Sequence, residues 1–228
     1  MDQEKFEVED EFLTIGRTFA EYRRMFDLTV ADLVGRTVLD CGGGAGAFTA
    51  TAGEFADESM AVDPLYGPPP DVLEPELDAA VETTLEQLRE KRGQFVWDFY
   101  GDPATRARYL RGAFERFLAD YATHPGRYVA GALPDLGFDD DTADLALVAN
   151  LLFTYDDRLD LDFHLDALRE VARVAGEVRV FPLASLDGTR SEFVEPAVER
   201  LRAGGHDVEL RPVPYEFQPG ATEMAVVS

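Results

Sequence analysis

Four of the five positions from Gly42 to Gly46 are glycine, and they stand between an apolar strand and an apolar helix in TVLDCGGGAGAFTA, residues 37–50. The strand (Val38, Leu39) ends in an acid, Asp40. The helix begins with Ala45, Ala47, Phe48 and Ala50. Glycines let a backbone turn sharply and approach a ligand with no Cβ between. A helix starting behind them offers free N–H groups and the positive end of its dipole, which suits an anionic group. This order of residues calls for a βα unit of an open α/β sheet, with the turn at the ligand edge.

A second strand, Met60–Val62, ends in Asp63, which lies 21 residues after Gly42. An acid about 20 residues beyond such a turn sits at the tip of the second strand, where its carboxylate can accept hydrogen bonds from the hydroxyls of a ribose. Downstream, Asp144–Ala149 (DLALVA) is apolar nearly throughout, as a buried parallel strand should be. Asn150, Leu151, Leu152, Phe153 and Tyr155 follow it over the same edge. Helix Leu161–Val174, strand Glu177–Phe181, helix Ser191–Ala203 capped at Gly204-Gly205, strand Asp207–Val213 and a last strand Glu223–Val227 complete the series. The final strand is expected to enter antiparallel.

The series has one excess. Between Asp63 and the third strand (Arg127–Gly131) lie residues 64–126, whereas a crossover needs only about a dozen. This insertion opens with YGPPP and carries a helix through Leu73, Leu77, Val81, Leu85 and Leu88. It continues with FVWDFYGDP, then a helix with Tyr109, Leu110, Phe114 and Phe117 on one side. Such stripes must bury against something. The nearest apolar surface is the mouth of the cleft by Leu151, Leu152 and Phe153, which predicts a lid with Trp97, Phe99 or Tyr109 in the pocket. The competing arrangement is an oligomer interface at the third-strand edge. The second helix also carries Arg106, Arg108, Arg111 and Arg116, expected to pair with neighbouring carboxylates rather than with an anionic substrate. Before the first strand, Phe19, Tyr22, Met25, Phe26, Val30 and Leu33 recur at helical spacing; from there Arg17 and Tyr22 could reach the cleft, the alternative being that Tyr22 is core and Arg17 a solvated charge. Residues 1–14 are polar and expected to fray.

Charge limits the partners. The 228 residues carry a formal −24, and of 21 bases only Lys5 and Lys91 are lysines. A 46% hydrophobic chain still buries a core. Dense carboxylates with few lysines suit strong salt, so melting temperature is expected to fall on dilution from molar salt to 0.1 M, where the Debye length grows from ~3 to ~10 Å. A flat profile would show that the acidity is no halophilic device. The same charge argues against a nucleic-acid backbone as partner. Cys41 is the lone cysteine, the acidic start is unlike a signal peptide, and no apolar run approaches the ~20 residues of a membrane span. A cytoplasmic protein is expected. No Cys/His cluster suggests a metal, and His164 and His206, beside helix ends, read as structural.

DCGGGAG, the acid in AVDP and DLALVANLLF together resemble the class I S-adenosylmethionine (SAM) dependent methyltransferases of the small-molecule type, over nearly the whole chain except the insertion. The resemblance implies a Rossmann-like, seven-stranded, mostly parallel sheet in the order 3-2-1-4-5-7-6, helices on both faces, one domain over 1–228, and SAM as cofactor. Carried over, Asp40, Gly42, Gly44 and Gly46 would hold the methionine end and Asp63 the ribose. Ala132 and Leu133 would flank the adenine, where the family often has an acid, and Asn150 would sit near the sulfonium. Arg17, Tyr22, Trp97, Phe99, Tyr109 and Phe153 are candidates for the acceptor, with no catalytic base named. The Asn/Asp-Pro-Pro-Tyr/Phe tetrapeptide of enzymes that methylate exocyclic or amide nitrogens is absent. A nicotinamide-dependent oxidoreductase and a SAM-fold binding protein without chemistry remain alternatives, and the oligomeric state stays open.

Overall fold

Strand β1 (Thr37–Cys41) lies at the centre of the sheet, with β2 (Glu58–Val62) on one side and β4 (Ala143–Ala149) on the other, both parallel to it. The structure, a computed structural model, describes residues 16–228, so the fraying expected of 1–14 lies outside the described residues. Outward from this centre, β3 (Tyr128–Val129) pairs with β2 and β5 (Ala175–Phe181) with β4, again in parallel. Strand β7 (Glu223–Val227) then enters antiparallel between β5 and β6 (Val208–Pro212). The order is 3-2-1-4-5-7-6, as expected, and the fold is Rossmann-like α/β.

Alternation along the central strands separates two apolar layers. Val38, Leu145, Leu147 and Ala149 join one face with Tyr22, Met25 and Phe48. Leu39, Cys41, Ala146 and Val148 join the other. The first face carries α1 (Phe19–Met25), α2 (Phe48–Ala52), α3 (Pro70–Glu90) and α4 (Pro103–Thr123). The second carries α5 (Leu161–Val174) and α6 (Val194–Ala203). The same register turns Asp40, two residues beyond Val38, toward α1.

Local chemistry explains the element ends. Helix α1 starts at a capping box, in which Thr18 accepts from Glu21 N–H while the Glu21 carboxylate accepts from Thr18 N–H. Asp102 and Asp160 cap α4 and α5 through Thr105 and Phe163 N–H. Helix α5 keeps its expected bounds. Helix α2 begins three residues later than Ala45, because Gly42 to Ala47 are spent on the turn. Strand β3 is two residues rather than five, since a 3-10 turn at Pro125–Arg127 precedes it and an isolated bridge, Ala132 to Asp135, follows. Helix α6 starts at Val194 because Ser191 Oγ accepts from Phe193 N–H in a turn ahead of it.

Candidate cofactor and acceptor cavity

Gly42, Asp63 and Asn150 each stand one residue beyond the end of a parallel strand, and all three line one cavity of about 620 Å³. That volume is ordinary for a small-molecule site. Gly42 adopts φ +74°, Gly44 φ +50° and Asn150 φ +50°, so the chain turns past the ends of β1 and β4 in left-handed conformations. A Cβ on Gly43 would lie 2.9 Å from Tyr66 Oη and 3.0 Å from Asp40 Oδ2. Glycine is required there by what packs beneath the loop.

Four carboxylate and hydroxyl contacts hold the turn and its supports. Asp63 Oδ2 accepts from Gly44 N–H at 2.9 Å and its Oδ1 from Leu65 N–H at 2.8 Å. Burial pushes the Asp63 pKa up, and these two N–H bonds draw it partly back. Tyr66 donates to Gly44 C=O at 2.8 Å. Tyr22 donates to Asp40 at 2.9 Å from Oδ1 and 3.1 Å from Oδ2.

Asp40 itself is 1% exposed and is not part of the cavity wall. It lies beneath the glycine loop, where it accepts from Tyr22. Gly46 is likewise off the wall. A Cβ there would meet Gly43 C=O at 2.9 Å, and the next residue, Ala47, donates to Arg17 C=O, so this glycine closes the turn against the N-terminal segment. Burial raises the Asp40 pKa from 3.8 to about 7, with Tyr22 opposing and Asp63 adding to the rise. An acid raised on folding costs nothing below about pH 4, where both states are protonated. Stability is lost between about pH 4 and 7, as the unfolded chain ionises first. Asp40→Asn should therefore gain on the native protein from pH 4 to pH 8 in urea unfolding, by roughly 4 kcal/mol at most. A difference that does not change with pH would contradict this.

Of the other expected residues, Ala132, Leu133, Arg17 and Tyr22 line the cavity. Trp97, Phe99, Tyr109 and Phe153 do not. Trp97 donates from Nε1 to Arg92 C=O and packs edge-on against Phe217 at 5.4 Å. Phe99 and Tyr109 pack on Tyr100, at 4.8 and 5.5 Å. They brace the wall from outside. Phe153 turns to the α5 face and lies 5.1 Å from the buried His164 ring, because Phe153–Tyr155 is a 3-10 turn that breaks the alternation of β4. His164 Nδ1 donates to Asp160 C=O at 2.7 Å, and the ring does not reach the cavity. From the insertion, Thr84, Leu88, Phe95 and Arg106 reach the wall instead.

Two parts of the wall were not anticipated. Tyr215, Phe217 and Gln218 enter from the β6–β7 connection, whose only signal is an aromatic pair at spacing two in VPYEFQPG. The second is an ionic cluster around Glu21, which is fully buried. Glu21 Oε1 accepts from Arg17 Nη1 at 3.2 Å and Tyr100 Oη at 2.5 Å, and lies 3.5 Å from Arg106 Nη1. Burial alone would raise the Glu21 pKa, but the Arg106 and Arg17 guanidiniums outweigh it and hold the carboxyl below its usual range. Tyr100 spends its hydrogen on Glu21, so the 2.7 Å contact with Tyr215 is donated by Tyr215. Among the described residues, no group of His, Cys, Asp and Glu is arranged to hold a metal, and no helix is long and apolar enough to cross a membrane.

No family model matches the chain. It is 27% identical over 214 residues to the uncharacterized protein MJ0045 of Methanocaldococcus jannaschii, covering 93% of this chain and 94% of the relative. Among solved structures it is similar to magnesium protoporphyrin IX methyltransferase of Synechocystis PCC 6803 with bound SAM (TM-score 0.49, 12% identity, 91% of this chain and 79% of that one). It is also similar to a SAM-dependent methyltransferase from Aquifex aeolicus (TM-score 0.43, 16% identity, 91% and 92%). A third is phosphoethanolamine N-methyltransferase 1 of Haemonchus contortus (TM-score 0.49, 13% identity, 92% and 41%).

Proposed function

We propose that this chain binds SAM across the ends of β1, β2 and β4 and transfers its methyl group to a small-molecule acceptor in the same cavity. The observation that carries this reading is the meeting of Gly42–Gly44, Asp63 and Asn150 on one wall, in a sheet whose last strand enters antiparallel. A dinucleotide-binding Rossmann sheet is expected in the order 3-2-1-4-5-6 without that strand, so the topology disfavours the oxidoreductase alternative. The residues fit the cofactor. The glycine turn leaves its upper face free of Cβ atoms, and Asp63 has lone pairs beyond the two already engaged by Gly44 and Leu65, available to ribose hydroxyls. Ala132 and Leu133 offer an apolar slot for a purine, with no acid for its amino group.

When bound, SAM supplies a methyl already activated by the sulfonium charge. What the chain contributes is placement. Asn150 and the loop fix one reacting partner, and Leu88, Phe95, Phe181 and Phe217 wall off the other from water. Such alignment is worth ~7–11 kcal/mol. In this reading, residues 64–126 are a lid, supported by the six wall residues they supply, among them Thr84, Leu88, Phe95 and Arg106. Transfer of labelled methyl from SAM into a metabolite extract is the expected result. No transfer, with SAM bound, would point to the non-catalytic SAM-binding alternative.

A further inference from the structure

Charge in the cavity wall runs against that of the chain. The chain as a whole carries −24, yet the charged residues lining the cavity among those described are Arg17, Arg106 and Asp63. Of the other α4 arginines, Arg111 pairs with Glu82 and Arg116 with Glu54, as expected, whereas Arg108 donates to the Thr105 hydroxyl; all three lie near the surface. Arg106 differs. It is 1% exposed, stacks over Tyr100 at 5.1 Å, and its Nε and Nη1 make no hydrogen bond. Arg17 Nε is also without one. The single carboxylate between them, Glu21, is already engaged by Arg17, Tyr100 and Thr18. Two guanidiniums therefore share one negative charge, and buried donors without acceptors are costly unless a ligand completes them.

We propose that the acceptor carries an anionic group, a carboxylate or phosphate, that pairs with the guanidinium of Arg106, which otherwise has only its share of Glu21. This rests on the reading of the cavity as a cofactor-plus-acceptor site. The probes are benzoate, inorganic phosphate and the neutral benzyl alcohol, titrated calorimetrically with and without S-adenosylhomocysteine. At least one anion should bind the native protein more tightly than benzyl alcohol, and should stay bound when the homocysteine analogue saturates its site. Arg106→Gln should weaken that anion by about tenfold or more, with Arg106→Lys between and benzyl alcohol unmoved. Anions no tighter than benzyl alcohol on the native protein would overturn the proposal without any variant having to fold. So would displacement of the anion by S-adenosylhomocysteine, or Arg106→Gln weakening S-adenosylhomocysteine while sparing 5′-methylthioadenosine. Either result would show that the guanidinium serves the cofactor's own carboxylate. Failure of S-adenosylhomocysteine to bind, with the anion still held, would strike the cofactor reading and leave the anion site standing.

Discussion

Glu21→Gln is expected to destabilise the protein by about 3–5 kcal/mol, the cost of leaving buried charge uncompensated. The carboxylate is fully buried, and the substitution leaves Arg17 and Arg106 facing each other without their shared counter-charge. Urea unfolding at pH 7 measures it. The loss should shrink in a Glu21→Gln, Arg106→Met double variant, because a hydrophobic replacement of a buried ionic group is often close to neutral. Since the folded Glu21 pKa is depressed, its contribution is present above its unfolded value of 4.5 and fades as pH falls through the folded one. A loss under about 1 kcal/mol would mean that water reaches the cluster and screens it.

The second large effect falls on ligand binding. On the proposed reading Asp63→Ala removes an acceptor for the ribose, and it releases Gly44 N–H, so SAM affinity should drop by about 3 kcal/mol, roughly a hundredfold. Asp63→Asn keeps an acceptor oxygen and should fall between the two. Calorimetry on variants checked for native unfolding behaviour separates binding from folding. Affinity within threefold of native would remove Asp63 from the cofactor site.

The parts legible in the sequence were those with short-range signals. The glycine turn, the acid 21 residues on and the apolar run of β4 placed the sheet edge at which the cavity opens, because strand period and turn chemistry act over a few residues. Helix α5 kept its bounds for the same reason, with Asp160 as a local cap. The wall opposite the glycine turn was not legible. Glu21, Tyr100 and Tyr215 meet across separations of 79 and 115 residues, with no periodicity to announce them. Trp97 and Phe99 had the same apolar, aromatic character as Phe95, and it is long-range packing, against Phe217 for Phe95 and Trp97 and against Tyr215 for Phe99, that separates the one in the wall from the two behind it. Asp40 sits where the motif places it. What spacing does not reveal is that Tyr22 and the loop above cover it.

The most direct measurement is calorimetric titration of the native protein with SAM and, separately, with NADH. The glycine loop, Asp63 and the antiparallel β7 together predict one SAM site per chain and no heat from NADH. NADH binding with SAM inert would contradict the assignment of the cavity and return the glycine turn to the dinucleotide reading.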